Sequence, residues 1–273
     1  MSRSFDRLLG AVAGSVVIAL LLVAPAAAAP PANDTYGGAA AISALPYSAT
    51  LDTTQATADA ADTSANADCG APAPEASVWY SFTPTAATGV SVDVSGSSYS
   101  AGVIVVTGSP GNFQLVNCNE GSLVFSAKAG VTYYLLVFDD TPGPPNGGTL
   151  QISVSEVQLP EVAVTVDPTG GVTPKAGVIT ASGTFTCTNT NAAFIFITVT
   201  QSAGRFTISG STNLDADPCD GQPHPWSANV TGDNGRFAGG KASVDAFMLA
   251  CITNTCLTDE VIQTVHLRAK QND

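Results

Sequence analysis

The sequence predicts an all-β protein with two β-sandwich domains in tandem, a jelly-roll-like domain followed by an immunoglobulin-like one. Short segments rich in β-branched and aromatic residues recur along the chain, separated by clusters of Gly, Pro, Asn and Ser. Val90, Val92 and Val94 alternate with polar residues, which is typical of a sheet with one solvated face. Beyond the N-terminal segment, the sequence sustains no apolar repeat with the period of a helix.

Residues 1–28 have the three parts of a secretory signal peptide. Two arginines supply the positive start, residues 8–23 form an apolar run, and small residues follow. We expect cleavage after Ala28, with cleavage after Ala29 as the alternative, and residues 29–32 as a spacer. The sequence therefore predicts a secreted, extracellular protein that leaves the membrane.

The charge balance limits the classes of partner. The formal net charge is −13, with 9 Lys and Arg against 22 Asp and Glu. Such a chain cannot form the basic stripe that nucleic acid or anionic lipid requires. Charged residues make up 11% of the chain and hydrophobic residues 45%, whereas disordered chains show the opposite balance. We expect a folded, acidic protein with no nucleic-acid partner and no membrane insertion.

Six cysteines in an exported chain predict a disulfide framework. Two of them precede residues 157–161 and four follow, so each side can pair its own cysteines. The cysteine count alone leaves many pairings open. We expect the bridges Cys69–Cys118, Cys187–Cys219 and Cys251–Cys256, the last of which would close a small ring at a turn between two strands.

Residues 33–157 are predicted to form the first sandwich. A central strand is predicted at Val78–Thr83, where aromatic and β-branched residues dominate, with Trp79 as core anchor. Val103–Val106 and Tyr133–Phe138 are apolar on both faces, which also favours central strands. The other strand candidates are Ala41–Leu51, Gly89–Val94, Gly102–Thr107, Phe113–Cys118, Leu123–Ala127, Thr132–Phe138 and Thr149–Val154.

A series of motifs in this half follows the order of a known group of secreted bacterial sandwiches. The motifs are Asn33-Asp34, Ala41-Ile42, Leu45-Pro46-Tyr47, Cys69-Gly70, Val78–Pro84, Gly108-Ser109, Val116–Asn119, Ala129–Tyr134 and Gly147–Leu150. Residues 33–157 thus resemble the bacterial pre-peptidase C-terminal domain, which implies a non-catalytic jelly roll appended to exported proteins. In such families acidic loop residues can bind calcium. Ser100 stands where the resembling sequences often carry Asp, and Glu120-Gly121 replaces an acidic pair.

Residues 158–160 are predicted as a linker and residues 161–273 as the second, immunoglobulin-like sandwich. A turn is predicted at Asp167–Gly171 from its composition. The strand candidates are Val162–Val166, Gly177–Cys187, Ala193–Gln201, Arg205–Gly210, Trp226–Thr231, Lys241–Cys251 and Val261–Leu267.

This second half also carries motifs of a known group. They are Val166–Gly170, Gly183–Cys187, Pro218–Gly221, His224-Pro225-Trp226 and Gly235–Gly240. The half resembles an uncharacterised family of secreted actinobacterial domains, which implies no particular function. In size, acidity and the C-x4-C ring of Cys251 and Cys256, it is also similar to the small acidic apoproteins that carry enediyne antibiotics. The wider pairing of Cys187 with Cys219 departs from their pattern.

The loop from Asp215 to Trp226 is the predicted binding loop. It combines acidic residues, rigid prolines and a bridged cysteine, and a rigid loop loses less entropy on binding. Asp220, His224 and Trp226 are expected to form the contact patch. The alternative for Trp226 is packing within the sandwich.

The acidic pair Asp139 and Asp140 is the candidate metal site. It precedes a loop rich in Pro and Gly, and carboxylates are ligands that calcium prefers. The ordinary interpretation is a solvated turn. Apart from calcium, we expect no cofactor.

Catalysis needs a nucleophile or base together with a residue that orients it. The chain has two histidines, His224 and His266, and lacks the G-x-S-x-G, H-E-x-x-H, P-loop and dinucleotide motifs. Pairing of all six cysteines would leave no thiol nucleophile. The sequence therefore predicts a protein that is not an enzyme.

Taken together, these features predict a secreted, non-catalytic, two-domain binding or interaction protein that acts at or outside the cell envelope. Its partner would be a glycan, a protein or an envelope component. One alternative is a carrier of a small apolar ligand, which requires an apolar cavity of more than about 300 Å³ in the second sandwich. The other is a hydrolase, which requires His224 beside an acid and a hydroxyl nucleophile in one cleft.

Overall fold

The computed structural model describes residues 29–72, 74–144, 146–173 and 175–269. The predicted signal peptide, residues 1–28, lies outside the described residues. No helix within the described residues is long and apolar enough to cross a membrane.

Two sheets form the first sandwich. One has the strand order β1-β3-β8-β5-β6 and the other the order β2-β9-β4-β7. A 3-10 turn spans Tyr36–Gly38 and a helix, α1, spans Ala60–Asn66. The strands are β1 (Ala40–Ile42), β2 (Tyr47–Asp52), β3 (Glu75–Phe82), β4 (Thr88–Asp93), β5 (Ala101–Thr107), β6 (Gln114–Glu120), β7 (Ser122–Ala127), β8 (Tyr133–Asp139) and β9 (Thr149–Val157).

The main core of this sandwich lies between the two sheets. Val78 and Leu135 of the five-stranded sheet meet Val92 and Ile152 of the four-stranded sheet in one buried cluster. These residues alternate with side chains on the opposite face, because successive side chains of a strand point to opposite sides. The predicted two-layer arrangement of this half is confirmed.

A second, smaller core covers the outer face of the five-stranded sheet. Trp79 is fully buried there with Ile104 and Leu136, and it stacks against Phe113 with 5.8 Å between ring centroids. The predicted role of Trp79 as core anchor is confirmed, but the core it anchors is the outer one.

A buried carboxylate fastens α1 over this outer core. The side chain of Asp62 is fully buried; Oδ1 accepts a hydrogen bond from Trp79 Nε1 at 2.7 Å. Oδ2 accepts from Ser77 Oγ at 2.9 Å and from the Asp59 amide at 2.6 Å. Burial raises the pKa of Asp62 above its usual value. The single carboxyl group thus joins the N-terminus of α1 to strand β3.

The second sandwich starts four residues after β9 ends, beyond the predicted linker. Its strands follow the order β10-β12-β11-β17-β16-β13-β14, with β15 also paired to β12. The strands are β10 (Glu161–Val164), β11 (Thr169–Thr173), β12 (Val178–Thr188), β13 (Ala192–Ala203), β14 (Phe206–Asp215), β15 (His224–Thr231), β16 (Gly240–Ile252) and β17 (Thr255–Ala269).

The strands of the second sandwich form one eight-stranded sheet and share one core. Ile179 of β12 and Val230 of β15 pack there with Ile195 of β13, Met248 of β16 and Val265 of β17. Along β13 and β16 every second side chain is buried, as period-two alternation requires. The described part of the chain is thus all-β apart from its short helical segments, and the predicted fold class is confirmed.

The three predicted disulfides are formed. They join Cys69 to Cys118, Cys187 to Cys219 and Cys251 to Cys256. Cys251 and Cys256 are directly opposite each other in the β16–β17 ladder, so their bridge closes the hairpin that the sequence predicts.

The tip of this hairpin contacts the first sandwich. The side chain of Asn254 accepts from the Val124 amide at 3.1 Å and donates to Asn117 Oδ1 at 3.1 Å. Thr255 Oγ1 donates to the Val124 carbonyl. Polar contacts at the end of β16 and β17 therefore connect the two halves.

Three local expectations were wrong. The helix α1 is absent from the predicted elements, although Asp59 caps it and Asp62 completes a capping box. The segment Asp167–Gly171, predicted as a turn, contributes its last residues to β11, because they pair in parallel with β17. The predicted strand Ala41–Leu51 is divided into β1 and β2, which belong to different sheets.

We predict that the Asp62–Trp79 hydrogen bond stabilises the first sandwich measurably. Trp79→Phe leaves Asp62 Oδ1 without its indole donor and should lower the free energy of unfolding by about 1–3 kcal/mol. In an Asp62→Ala background the same substitution should be less destabilising, because the acceptor is already absent. Urea unfolding of the four proteins measures this coupling, and strictly additive effects would contradict it.

Candidate binding surface

The structure brings together Asp220 and His224 of the predicted binding loop. His224 is the first residue of β15, and its Nε2 lies 2.8 Å from Asp220 Oδ1. The pKa of Asp220 is lowered, first because of this hydrogen bond and then because the Gln222 amide donates to the carboxylate. Both side chains reach solvent. They form an exposed polar pair at the end of the second sandwich.

Trp226 does not belong to that exposed patch, so the expectation that it makes ligand contacts was wrong. Its side chain is 4% exposed and lies in the core of the second sandwich. Its Nε1 donates to the Thr165 carbonyl at 2.9 Å. The physical reason is alternation along β15, where Trp226, Ala228 and Val230 all point inward. The packing alternative is correct.

The predicted metal residues Asp139 and Asp140 differ in their environment. Asp139 is buried; its Oδ1 accepts from the Thr141 amide at 2.9 Å and its Oδ2 from the Gly147 amide at 2.8 Å. Its carboxylate closes the loop that follows β8. The pKa of Asp140 is raised, first by burial and then by the charges of Glu120 and Asp139.

Asp140 and Glu120 line a pocket of about 190 Å³ beside the Cys69–Cys118 bridge. Among the described residues, no group of three or more His, Cys, Asp or Glu side chains is arranged to hold a metal ion. The calcium site at Asp139 and Asp140 therefore stays a prediction.

The first sandwich has a polar trough on the outer face of its four-stranded sheet. The trough encloses about 470 Å³ and is lined by residues of β2, β4 and β9, including Thr50, Asp93, Gln151 and Ser153. Hydroxyl and amide groups suit sugar hydroxyls. None of the described residues that line it carries an aromatic ring on which a sugar could stack.

A shallow pocket lies at one end of the second sandwich. It encloses about 270 Å³ and is lined by Phe194, Asp215 and Asp217 among others. This is smaller than the cavity that the carrier alternative requires, and its lining is mixed rather than apolar. The pocket opens beside the outer face of β13 and β14.

The sequence reasoning missed an apolar surface on the outer face of the second sandwich. We call it the aromatic face and define it by Phe194, Phe196, Phe247, Leu249 and Ile262, from strands β13, β16 and β17. Phe196 is opposite Phe247 in the ladder, with 6.2 Å between ring centroids. Phe196 is 44% exposed and Ile262 is 67% exposed. These side chains form one patch across three neighbouring strands.

The alternation of the strands determines this placement. Ile195, Ile197 and Met248 are fully buried on the inner face, so their neighbours Phe196 and Phe247 must point outward. The run Phe194-Ile195-Phe196-Ile197 is apolar at its odd and its even positions alike, so it places apolar side chains on both faces of β13. That run is the signal from which the face could have been predicted.

We predict that the His224 ring holds the pKa of Asp220 down. In His224→Ala the pKa of Asp220 should rise towards its usual value, because the largest cause of its lowering is removed. Carboxyl-carbon NMR titration measures the change. His266→Ala, on the distant strand β17, serves as control and should leave Asp220 unchanged; an equal shift in both variants would contradict the assignment.

We predict that Trp226 supports stability. Trp226→Ala should lower the free energy of unfolding of the second sandwich by about 3–5 kcal/mol, because it leaves a cavity and an unpaired Thr165 carbonyl. Phe206→Ala is the matched control, since Phe206 is 71% exposed in the same half. Chemical unfolding of both variants tests this, and equal destabilisation would argue against a core role.

Residues 160–271 match the model of a family of unknown function (DUF6299), in agreement with the resemblance of the second half to an uncharacterised family. The resemblance of residues 33–157 stays a prediction. No curated protein matches the chain.

Solved structures similar to the chain include three glycoside hydrolases. The β-glucuronidase of Parabacteroides merdae is 10% identical, and the match covers 70% of this chain and 27% of that chain with a TM-score of 0.26. The GH2 β-galacturonidase of Eisenbergiella tayi is 14% identical, and the match covers 82% of this chain and 43% of that chain with a TM-score of 0.24. The β-glucuronidase of Bifidobacterium dentium is 12% identical, and the match covers 70% of this chain and 39% of that chain with a TM-score of 0.26. The chain spans less than half the length of each.

Proposed function

We propose that the protein is a secreted, non-catalytic, two-domain binding protein that acts at or outside the cell envelope. In this proposal the aromatic face of the second sandwich contacts a partner protein. The observation that carries it is the continuous apolar patch formed by Phe196, Phe247 and Ile262 on a solvent-facing sheet surface.

A contiguous patch differs from an isolated exposed residue. Single exposed apolar side chains are ordinary, whereas adjoining ones mark interaction surfaces. Phe206 illustrates the ordinary case, because it stands alone at the tip of the β13–β14 hairpin. Phe196 and Phe247 instead contact each other, and Ile262 is the diagonal neighbour of Phe247 on β17. Aromatic residues of this kind dominate binding energy at interfaces.

The contacts of His224 do not add support to the hydrolase alternative. His224 is hydrogen-bonded to Asp220, and among the described residues neither of its ring nitrogens bonds to a Ser or Thr hydroxyl. A hydrolase of the Ser-His-Asp type requires that second contact. The described lining of the trough in the first sandwich carries no aromatic ring, whereas the second sandwich exposes aromatic and apolar side chains of the kind enriched at protein interfaces. We therefore propose a protein partner rather than a glycan.

The covalent framework supports the proposed compartment. Three disulfides are formed, and no free cysteine remains within the described residues. Disulfides persist in oxidising compartments such as the cell exterior. The predicted signal peptide, residues 1–28, points to the same compartment.

We predict that the aromatic face retains the protein on its partner. Residues 29–273 should bind a washed cell-envelope fraction in a saturable manner, and Phe196→Ser should weaken this more than tenfold, as loss of an interface hot spot does. Ile262→Ser should act in the same direction. Sedimentation with quantified bound protein provides the measurement.

Phe206→Ser is the matched control, because it removes an equally large exposed ring outside the aromatic face. It should leave retention unchanged. If Phe206→Ser and Phe196→Ser weaken retention equally, or if neither does, the aromatic face is not the contact surface.

A further inference from the structure

A carboxylate with an unsatisfied oxygen lies within the aromatic face. Asp245 is on β16, directly opposite Thr198 of β13 and Ile262 of β17, and two residues before Phe247. Its Oδ1 is buried, and it has no hydrogen-bond partner among the described residues. Asp245 points outward with Phe247, because inward positions of β16 are taken by Val244 and Ala246.

A buried carboxylate oxygen without a donor is unfavourable. In native structures nearly all buried polar atoms have a partner, and an exception is explained by strain, by a catalytic role, or by an ordered water or ion. The apolar neighbours of Asp245 lower the local dielectric and increase the attraction of a cation. A water molecule or a cationic group from outside the chain can therefore supply the donor.

The other charges near the aromatic face have the same sign. Glu260 is directly opposite Phe247, and Asp215 is directly opposite Phe194. Asp215 and Asp217 also line the shallow pocket at that end of the face. The acidic groups thus surround the apolar patch on two sides.

The basic groups of this sheet surface lie at its other end. Lys241 precedes Asp245 by four residues on the outward side of β16, a distance of about 13 Å along the strand. His266 is opposite Lys241. Neither group is a hydrogen-bond partner of Asp245 Oδ1.

We infer that the partner presents a polypeptide segment that combines basic with apolar side chains. This inference rests on the proposed function and specifies the chemistry of the partner. A lysine or arginine of the segment pairs with the Asp245 carboxylate, whose side chain is partly exposed, and lies beside the face of the Phe247 ring, where cations bind favourably. Its apolar side chains cover Phe196 and Ile262.

The shape of the surface favours a peptide segment over a small molecule. The aromatic face extends over three strands, about 10 Å across, on an open sheet surface. Small ligands prefer concave pockets that enclose most of their area, whereas an open patch with a central charge suits a segment of another protein.

The test uses residues 29–273 and a short fluorescent peptide of alternating leucine and lysine. Two matched peptides replace either every lysine by glutamate or every leucine by serine. At physiological salt, only the leucine–lysine peptide should bind with measurable affinity by fluorescence anisotropy. Asp245→Asn should weaken its binding about tenfold, because a charge-assisted hydrogen bond is lost.

Asp233→Asn is the control variant, because it removes the same charge from an exposed turn outside the aromatic face. It should change the affinity less than about twofold, since exposed distant charges are screened. Asp245→Glu keeps the charge and should recover part of the binding. Unfolding midpoints of all variants establish that each is folded.

Three outcomes would overturn the inference. If Asp233→Asn and Asp245→Asn weaken binding equally, only the general acidity of the protein attracts the peptide. The second outcome is that the leucine–glutamate peptide binds as tightly as the leucine–lysine peptide, with Phe196→Ser abolishing that binding. In that case the aromatic face binds apolar segments without a cation, so the proposed function stands and the inference fails. If no peptide binds and envelope retention is also insensitive to Phe196→Ser, both fail.

Discussion

Side-chain alternation along the β16–β17 hairpin is the constraint on which the surface of the second sandwich depends. A shift of pairing by one residue would carry every core side chain to the solvent face. The bridge between Cys251 and Cys256 joins a directly opposed pair at the end of this hairpin. The same register then places Asp245 opposite Ile262 and Phe247 opposite Glu260. One covalent link thus fixes which apolar and acidic groups appear together on the aromatic face.

The two sandwiches differ in whether a helix packs on their apolar outer face. In the first, Trp79, Ile104 and Leu136 point away from the main core, and α1 covers them. Asp62 secures the cover, because its buried carboxylate accepts hydrogen bonds from both the helix N-terminus and β3. In the second, no helix of the described residues covers Phe196 and Phe247. The outer apolar face is therefore internal in the first half, whereas Phe196 on the outer face of the second half is 44% exposed.

This contrast explains what the sequence could and could not predict. Alternation and turn residues identified most strands. The division of the cysteines between the two halves leaves one pairing for Cys69 and Cys118, but it does not choose among the pairings of the other four. The sequence predicts the strand Trp226–Thr231, and it also places Trp226 in the contact patch because prolines and a bridged cysteine make the preceding loop rigid. The inward position that Trp226 shares with Ala228 is the better guide. A run such as Phe194–Ile197 places apolar side chains on both faces of its strand. Whether another element packs on the outer face depends on tertiary structure, which a local sequence pattern does not contain.

Charge and apolar area contribute to recognition at different ranges. The net charge of −13 acts over the whole molecule and attracts any basic partner, but salt screens it beyond about 10 Å. Such a field increases the rate of encounter without selecting one segment from another. Selection of one segment over another requires a charged group that lacks a hydrogen-bond partner and is partly shielded from water. Asp245 meets this condition, whereas an exposed carboxylate such as Asp233 does not. Asp220 is already bonded to His224, whereas Asp245 Oδ1 has no partner among the described residues. Within the second sandwich, the unsatisfied acidic group therefore lies on the sheet surface rather than on the loop at its end.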